Sequence, residues 1–237
     1  MELRSIRTPV LIGKSGASVF KVRREDGVEW FEKLGSPSEI TLEVAVLTWC
    51  QPWLPVPRVL NAEPGLIEMS VLPGVNLTEA SADRAVATIN EALQLIHAVP
   101  VDECVFQASW PVRLEQAERR VLAGLVDETD FDDVNRGRTA AEIFSELVLL
   151  PVPPDVACFT HGDACLPNFL TDGARLTGIV DLGRAGVAHP AQDWALALRS
   201  LHDNHGSEAE QKLRKHLPTH CADEDLLRQF RLLDELF

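Results

Sequence analysis

The chain has 237 residues, 46% hydrophobic and 24% charged, enough to bury one sizeable core or two small ones. Its formal net charge of −14 argues against nucleic acid and anionic membranes as partners and permits a cationic ligand. No stretch approaches the ~18 uninterrupted apolar residues of a membrane span, and the start, Met1-Glu2-Leu3-Arg4, lacks the apolar core of a signal peptide, so a cytoplasmic protein is expected.

In chain order, Val10-Leu11-Ile12 predicts a strand leading into Gly13-Lys14-Ser15-Gly16, after which Ser18–Val22 resumes an extended pattern. Glu25-Asp26-Gly27 reads as a hairpin turn, and Val28–Lys33 as the next strand. Ser38 is the expected cap of a helix over 39–49, with Ile40, Val44 and Leu47 on one face. Pro52, Pro55 and Pro57 end it, and strands follow near Val59 and at Leu66–Met69, the latter broken by Val71-Leu72-Pro73-Gly74. The remainder begins as helices: one after Ser81 carrying Val86, Ile89, Leu93 and Ile96, one over 113–126, and one opened by the capping box Thr139-Ala140-Ala141-Glu142 and running to Leu150. Val156–Phe159 reads as a buried strand, and Asp172-Gly173 joins two strands as a hairpin. Pro190 suits the first turn of a helix with Trp194, Leu198 and Leu201, and a last helix runs from about Asp223. The expected fold is α+β, with a β-rich lobe over 1–72 and a larger, mostly helical lobe over 73–237. The acidity is concentrated in the second: residues 1–72 hold 8 basic and 9 acidic side chains, 73–237 hold 14 and 27.

Five cysteines without a Cys-x-x-Cys pair suit reduced, separately packed thiols. His202, His205, His216, His220 and Cys221 match no standard metal spacing, and the histidines read as solvent-facing helix residues.

The chemistry is written in the segment His161-Gly162-Asp163-Ala164-Cys165-Leu166-Pro167-Asn168. Asp163 and Asn168 stand in the D-x4-N spacing of a kinase catalytic loop, where the carboxylate accepts the attacking hydroxyl's proton and the amide oxygen ligates magnesium. Ile179-Val180-Asp181-Leu182-Gly183 ends a strand with a second candidate metal ligand, Asp181, and the intervening hairpin would bring it close to Asn168. Ahead of these, Gly13, Ser15 and Gly16 would lay backbone N–H groups over nucleotide phosphates, although the loop is not a P-loop because Thr8 replaces its first glycine. Lys33 falls where a kinase lysine grips the phosphates, with Glu43 as its expected partner and Glu39, one turn earlier, as the alternative. Each piece alone has a bland explanation, from a common loop tripeptide to a solvated surface pair; their order behind a β-rich lobe points to a bilobal protein-kinase-like fold using ATP or GTP with Mg2+.

These residues, with Asp181-Leu182-Gly183-Arg184-Ala185-Gly186, the Gln192–Arg199 run, Leu54–Leu60 and the ending Leu232-Leu233-Asp234-Glu235-Leu236-Phe237, make the chain resemble the aminoglycoside 3′-phosphotransferase family, the kanamycin and neomycin kinases. The resemblance covers essentially the whole chain. It implies transfer of the γ-phosphate to a 3′-hydroxyl of a cationic aminoglycoside, giving antibiotic resistance, with Asp163 as base and Asn168 and Asp181 on magnesium. It further implies that Ser70 and Leu72 bind the adenine edge through main-chain groups and that Asp193 braces the catalytic loop. Substrate ammonium groups would meet Asp130, Asp132 and Asp133 in an acidic insert, and Asp234, Glu235 and the terminal carboxylate of Phe237, with Arg184 and Arg199 lining the same cleft. A monomer, or else a dimer, is expected. Ser200 replaces an aspartate that some members carry, and the chain is shorter than usual, which bears on substrate breadth.

Competing readings differ in identifiable residues. A protein kinase would carry lysine where Cys165 stands and an Ala-Pro-Glu run after Asp181. A macrolide, choline or sugar kinase would not need the Arg184 motif or the acidic ending. A nucleotide-binding scaffold without turnover would have no use for intact Lys33, Asp163, Asn168 and Asp181.

Overall fold

The structure, a computed structural model, describes residues 4–10 and 18–237. The proposed phosphate-covering residues Gly13, Ser15 and Gly16, and Leu11-Ile12 of the first expected strand, lie outside the described residues.

Five antiparallel strands form the first sheet: β1 (Ser5–Pro9), β2 (Ser18–Arg24), β3 (Glu29–Leu34), β4 (Val59–Glu63) and β5 (Leu66–Ser70), in the order β1-β2-β3-β5-β4. β1 lies earlier than the expected Val10 strand. Its five residues are all exposed, so an edge strand of this kind offers no apolar alternation to read. It is tied to the sheet by Arg7, which pairs with Glu32 at 2.5 Å and lies over the Phe20 ring.

Helix α1 (Pro37–Cys50) starts two residues earlier than expected. Ser36, rather than Ser38, is the N-cap, because Pro37 needs no N–H partner in the first turn and Glu39 completes a capping box with Ser36. The buried positions of α1 are Ile40, Glu43, Val46, Leu47 and Cys50, a helical stripe containing one carboxylate. Burying each large aliphatic side chain contributes about 1.5–3 kcal/mol; burying Glu43 alone would cost, so it requires a partner.

The chain forms two compact units, one of residues up to Leu95 with Cys165–Arg184, the other of Ile96–Ala164 with Ala185–Phe237. In the first, β6 (Val75–Asn76), β8 (Phe169–Thr171) and β9 (Leu176–Ile179) make a small antiparallel sheet in the order β6-β8-β9. Gly74 precedes it at φ 106°, where a Cβ would come within 2.5 Å of the Thr171 carbonyl oxygen, so only glycine fits. Helix α2 (Ala82–His97) matches its expected periodicity, burying Val86, Ile89, Leu93 and Ile96.

The second unit contains α3 (Trp110–Leu122), α4 (Ala140–Leu147), α5 (Ala191–His205), α6 (Ser207–Arg214), α7 (Glu224–Asp234) and a short sheet of β7 (Cys158–Thr160) with β10 (Gly186–Ala188). Helix α3 starts earlier than expected, since Pro111 is tolerated in its first turn, and stops before Gly124 at φ 64°. Thr139 and Glu142 form the expected capping box on α4. Ile143, Leu147, Phe159, Leu201, Leu227 and Phe230 are buried in this unit. The cysteines carry no disulfide, no metal-holding cluster of histidine, cysteine and acids occurs among the described residues, and no helix there is long and apolar enough to cross a membrane.

Candidate active site

The partner that Glu43 requires is Lys33, whose ammonium lies 2.8 Å from its carboxylate and 2.6 Å from Asp181. β3 delivers Lys33, α1 delivers Glu43, and the end of β9 delivers Asp181. The alternative, Glu39, is engaged instead in the Ser36 capping box. Lys33 is 8% exposed, and burial by itself would lower its pKa, but the charges of Asp181 and Glu43 outweigh this and hold the ammonium above its ordinary range. Burial pushes the Glu43 carboxyl up against the attraction of Lys33. Such an ammonium stays charged at any physiological pH.

Asp181 has φ 60°, the one positive-φ non-glycine among the described residues. An aspartate held in this conformation stores strain of about 1–3 kcal/mol, a cost that tends to occur where a side chain must be aimed. Asn168 ends a single 3-10 turn over Leu166–Asn168 and is buried. The β8–β9 hairpin pairs Phe169 with Ile179, and the Val180 N–H donates to the Asn168 carbonyl oxygen at 2.9 Å. The Asp172-Gly173 turn therefore brings the two candidate metal ligands to one end of one hairpin. A carboxylate and a carboxamide are hard oxygen donors that suit magnesium.

Ser70 ends β5, where its hydroxyl accepts from the Arg58 N–H and its N–H donates to the Arg58 carbonyl oxygen. The Leu72 side chain packs over β9: a Cβ on Gly178 would lie 2.7 Å from Leu72 Cδ1. Gly178 thus leaves room for the Leu72 side chain, as a strand glycine does where another group approaches closely. Arg184 is half-buried in the loop after β9.

In the second unit, Asp163 is half-buried, and its N–H donates to His161 Nδ1 at 3.2 Å. Asp193 on α5 is fully buried and accepts the N–H groups of His161 and Gly162, each at 2.9 Å. Burial alone would raise the Asp193 carboxyl, yet its hydrogen bonds to His97 and the His161 main chain keep it below the ordinary range. Gln192 adds a bond to the Gly162 carbonyl oxygen. His97, at 3.0 Å from Asp193, is a support that no spacing in the sequence revealed, because it stands 96 residues from its partner.

The acidic positions form a second group. Arg199 on α5 reaches Asp132 at 3.2 Å and Asp234 at 2.5 Å. Glu235 accepts from Asn135 Nδ2 at 2.7 Å and from the Asp132 N–H at 3.2 Å. Burial, with the nearby Asp132 charge, raises the Glu235 carboxyl despite the Asn135 hydrogen bond. Asp133 is exposed and pairs with Arg136, and Asp130 is exposed in the preceding turn. Phe237 lies with its ring centroid 5.6 Å from the Arg113 guanidinium carbon and 5.7 Å from that of Arg120. Asn135, Arg113 and Arg120 carried no sequence signal of their own.

A family model described as "Phosphotransferase enzyme family" matches residues 10–230. An aminoglycoside 3′-phosphotransferase of Niallia circulans is 33% identical over 95% of this chain and 90% of its own length. One of Escherichia coli is 30% identical over 95% of this chain and 88% of its own. A solved aminoglycoside-3′-phosphotransferase of type VIII superposes with a TM-score of 0.85 at 29% identity, over 98% of this chain and 94% of that one. The α+β, kinase-like fold expected from the sequence is the fold of that structure. The chain is a phosphotransferase and belongs to the aminoglycoside 3′-phosphotransferase family.

Proposed function

We propose that the protein transfers the γ-phosphate of ATP, or GTP, to the 3′-hydroxyl of a polycationic aminoglycoside such as kanamycin or neomycin, and so gives resistance. The observation that carries this reading is Lys33 held between Glu43 and Asp181, with Asp181 on the same hairpin as Asn168. Phosphoryl transfer needs positive charge on the phosphates, oxygen ligands for metal, and a hydroxyl aligned on a base, with little covalent help from protein.

In this reading residues 1–72 bind the nucleotide and 73–237 provide catalysis and substrate binding. Ser70 and Leu72 hold the adenine edge, Lys33 grips the phosphates, and Gly13, Ser15 and Gly16 cover them. Asn168 and Asp181 are the side chains that would hold magnesium. When bound, magnesium neutralises the phosphate oxygens and orients the transferred group. Asp163 takes the proton of the 3′-hydroxyl, on a loop whose main chain Asp193 braces. Asp130, Asp132, Asp133, Asp234, Glu235 and Phe237 receive the substrate's ammonium groups, and Arg184 and Arg199 line their cleft. Arg199 between Asp132 and Asp234 supports this assignment: an array of acids with one internal cation retains net negative charge for a cationic ligand. The enzyme is cytoplasmic and acts as a monomer or a dimer, without nucleic acid or membrane.

The Asp163→Ala variant tests the base. Its turnover on kanamycin is expected to fall by about 10²–10⁴-fold, while ATP affinity, read by calorimetry, changes little. Near-normal turnover would refute the assignment, and nucleotide binding by the wild type without any turnover would favour a scaffold.

A further inference from the structure

Helix α7 ends at Asp234, and the N–H groups of Glu235, Leu236 and Phe237 close its last turn onto Arg231, Leu233 and Asp234. Arg120 on α3 fastens the residues beyond it: its Nε donates to the main-chain oxygen of Leu236 and its Nη2 to that of Phe237, both at 2.8 Å. Nη2 also reaches the Leu125 carbonyl oxygen at 3.1 Å, which closes the turn after α3 onto the same side chain. The Phe237 ring lies against this guanidinium and that of the buried Arg113, and Leu236 is fully buried. The segment so fastened carries Asp234, held by Arg199, and Glu235, which organises the 132–135 turn through the Asp132 N–H and Asn135.

We propose that Arg120 is a positioning residue for substrate recognition, a latch that sets the 234–237 segment and, through Glu235, the acidic insert that meets the polycationic substrate. The inference rests on the proposed function for its substrate. A guanidinium suits the task because its planar fork donates in several directions at once while stacking on an aromatic ring, which a lysine ammonium cannot do. Without the latch, Asp234 and Glu235 keep their charge but lose a fixed position. Each acid must then be ordered when substrate binds, at a cost of about 0.5–1.5 kcal/mol per side chain. A purely structural helix-end contact would change stability and leave the balance between the two substrates' KM values alone.

The test uses the full chain with Arg120→Ala and Arg120→Lys. In Arg120→Ala, amide hydrogen exchange without substrate is expected to speed up at 130–135 and 234–237 by about tenfold or more. Its KM for kanamycin and neomycin rises about tenfold, while kcat and the KM for ATP stay within about twofold of wild type. Arg120→Lys falls between, because charge without the fork restores part of the latch. Equal rises in both KM values, an unchanged aminoglycoside KM, or loss of folding in both variants would overturn the proposal. If the wild type phosphorylates no aminoglycoside, the function reading fails by itself. Exchange at 130–135 then decides the latch: faster exchange in Arg120→Ala upholds it, unchanged exchange overturns it.

Discussion

Lys33 and Arg199 each sit between two carboxylates, yet the two arrangements differ in their cation and in their exposure. Lys33 is a compact point charge whose side chain is 10% exposed, between Glu43 at 3% and Asp181 at 36%. Arg199 is a planar fork, 18% exposed, between Asp132 at 34% and Asp234 at 12%. Between Lys33 and Glu43 low polarity strengthens the interaction and makes an unpaired charge costly, so that pair has little freedom. In the second arrangement, solvent screens the pairs and the acids can exchange a contact with Arg199 for one with an incoming ammonium group. The difference fits the proposed function, in which a phosphate grip must be preorganised, whereas a site for flexible polyamines must attract and then adjust.

The strongest attempt to break this contrast is Lys33→Met, which leaves Glu43 and Asp181 without their shared cation. Thermal or denaturant unfolding should show a loss of about 3–5 kcal/mol, and turnover should fall by about 10²–10³-fold. A variant as stable as wild type would mean that the pair is not the rigid element proposed. A smaller effect is expected of Arg199→Gln, in which Asp132 and Asp234 remain partly solvated. Stability should drop by about 1–2 kcal/mol, and the aminoglycoside KM should rise about tenfold with the KM for ATP nearly unchanged. If kcat collapses instead, Arg199 acts on the reacting atoms and the contrast is misdrawn.

The smallest effect sharpens the second place alone. Glu235 has its carboxyl raised by burial and by Asp132, against the pull of Asn135 and Arg199. Above the ordinary carboxyl value of 4.5, the unfolded chain has released this proton while the folded chain still holds it. The folded state therefore binds more protons, and this group's contribution to stability falls as pH rises from there to the folded pKa. Glu235→Gln should flatten that part of the stability profile measured by denaturant titration. A profile parallel to wild type would show that Glu235 is not desolvated in this way.

The two places also differ in how far they could be read in advance. Asp163, Asn168 and Asp181 stood out in the sequence because phosphoryl transfer demands particular side chains at short spacings, and the β8–β9 hairpin brings Asn168 and Asp181 to one end. Lys33 and Glu43 stood out by their places on the third strand and the following helix, and the structure pairs them at 2.8 Å. The geometry chose Glu43 over Glu39 because Glu39 has a local use, capping α1. The acidic group was legible only through the family resemblance, since exposed acids in a loop look alike whether or not they bind anything. Its supports were not legible at all: Arg120 meets Phe237 across 117 residues and Asn135 meets Glu235 across 100, and long-range pairs leave no periodic trace. The start of α1 was misplaced by two residues because two serines flank Pro37, and only the capping geometry distinguishes them.

The most direct test of the account is a coupled nucleotide-turnover assay that sets kanamycin, which has the 3′-hydroxyl, beside tobramycin, which lacks it. Rapid turnover with kanamycin and none with tobramycin, with the new phosphate ester located on the 3′-oxygen by NMR, is the predicted result. Equal turnover on both substrates, or phosphorylation at another hydroxyl, would contradict it.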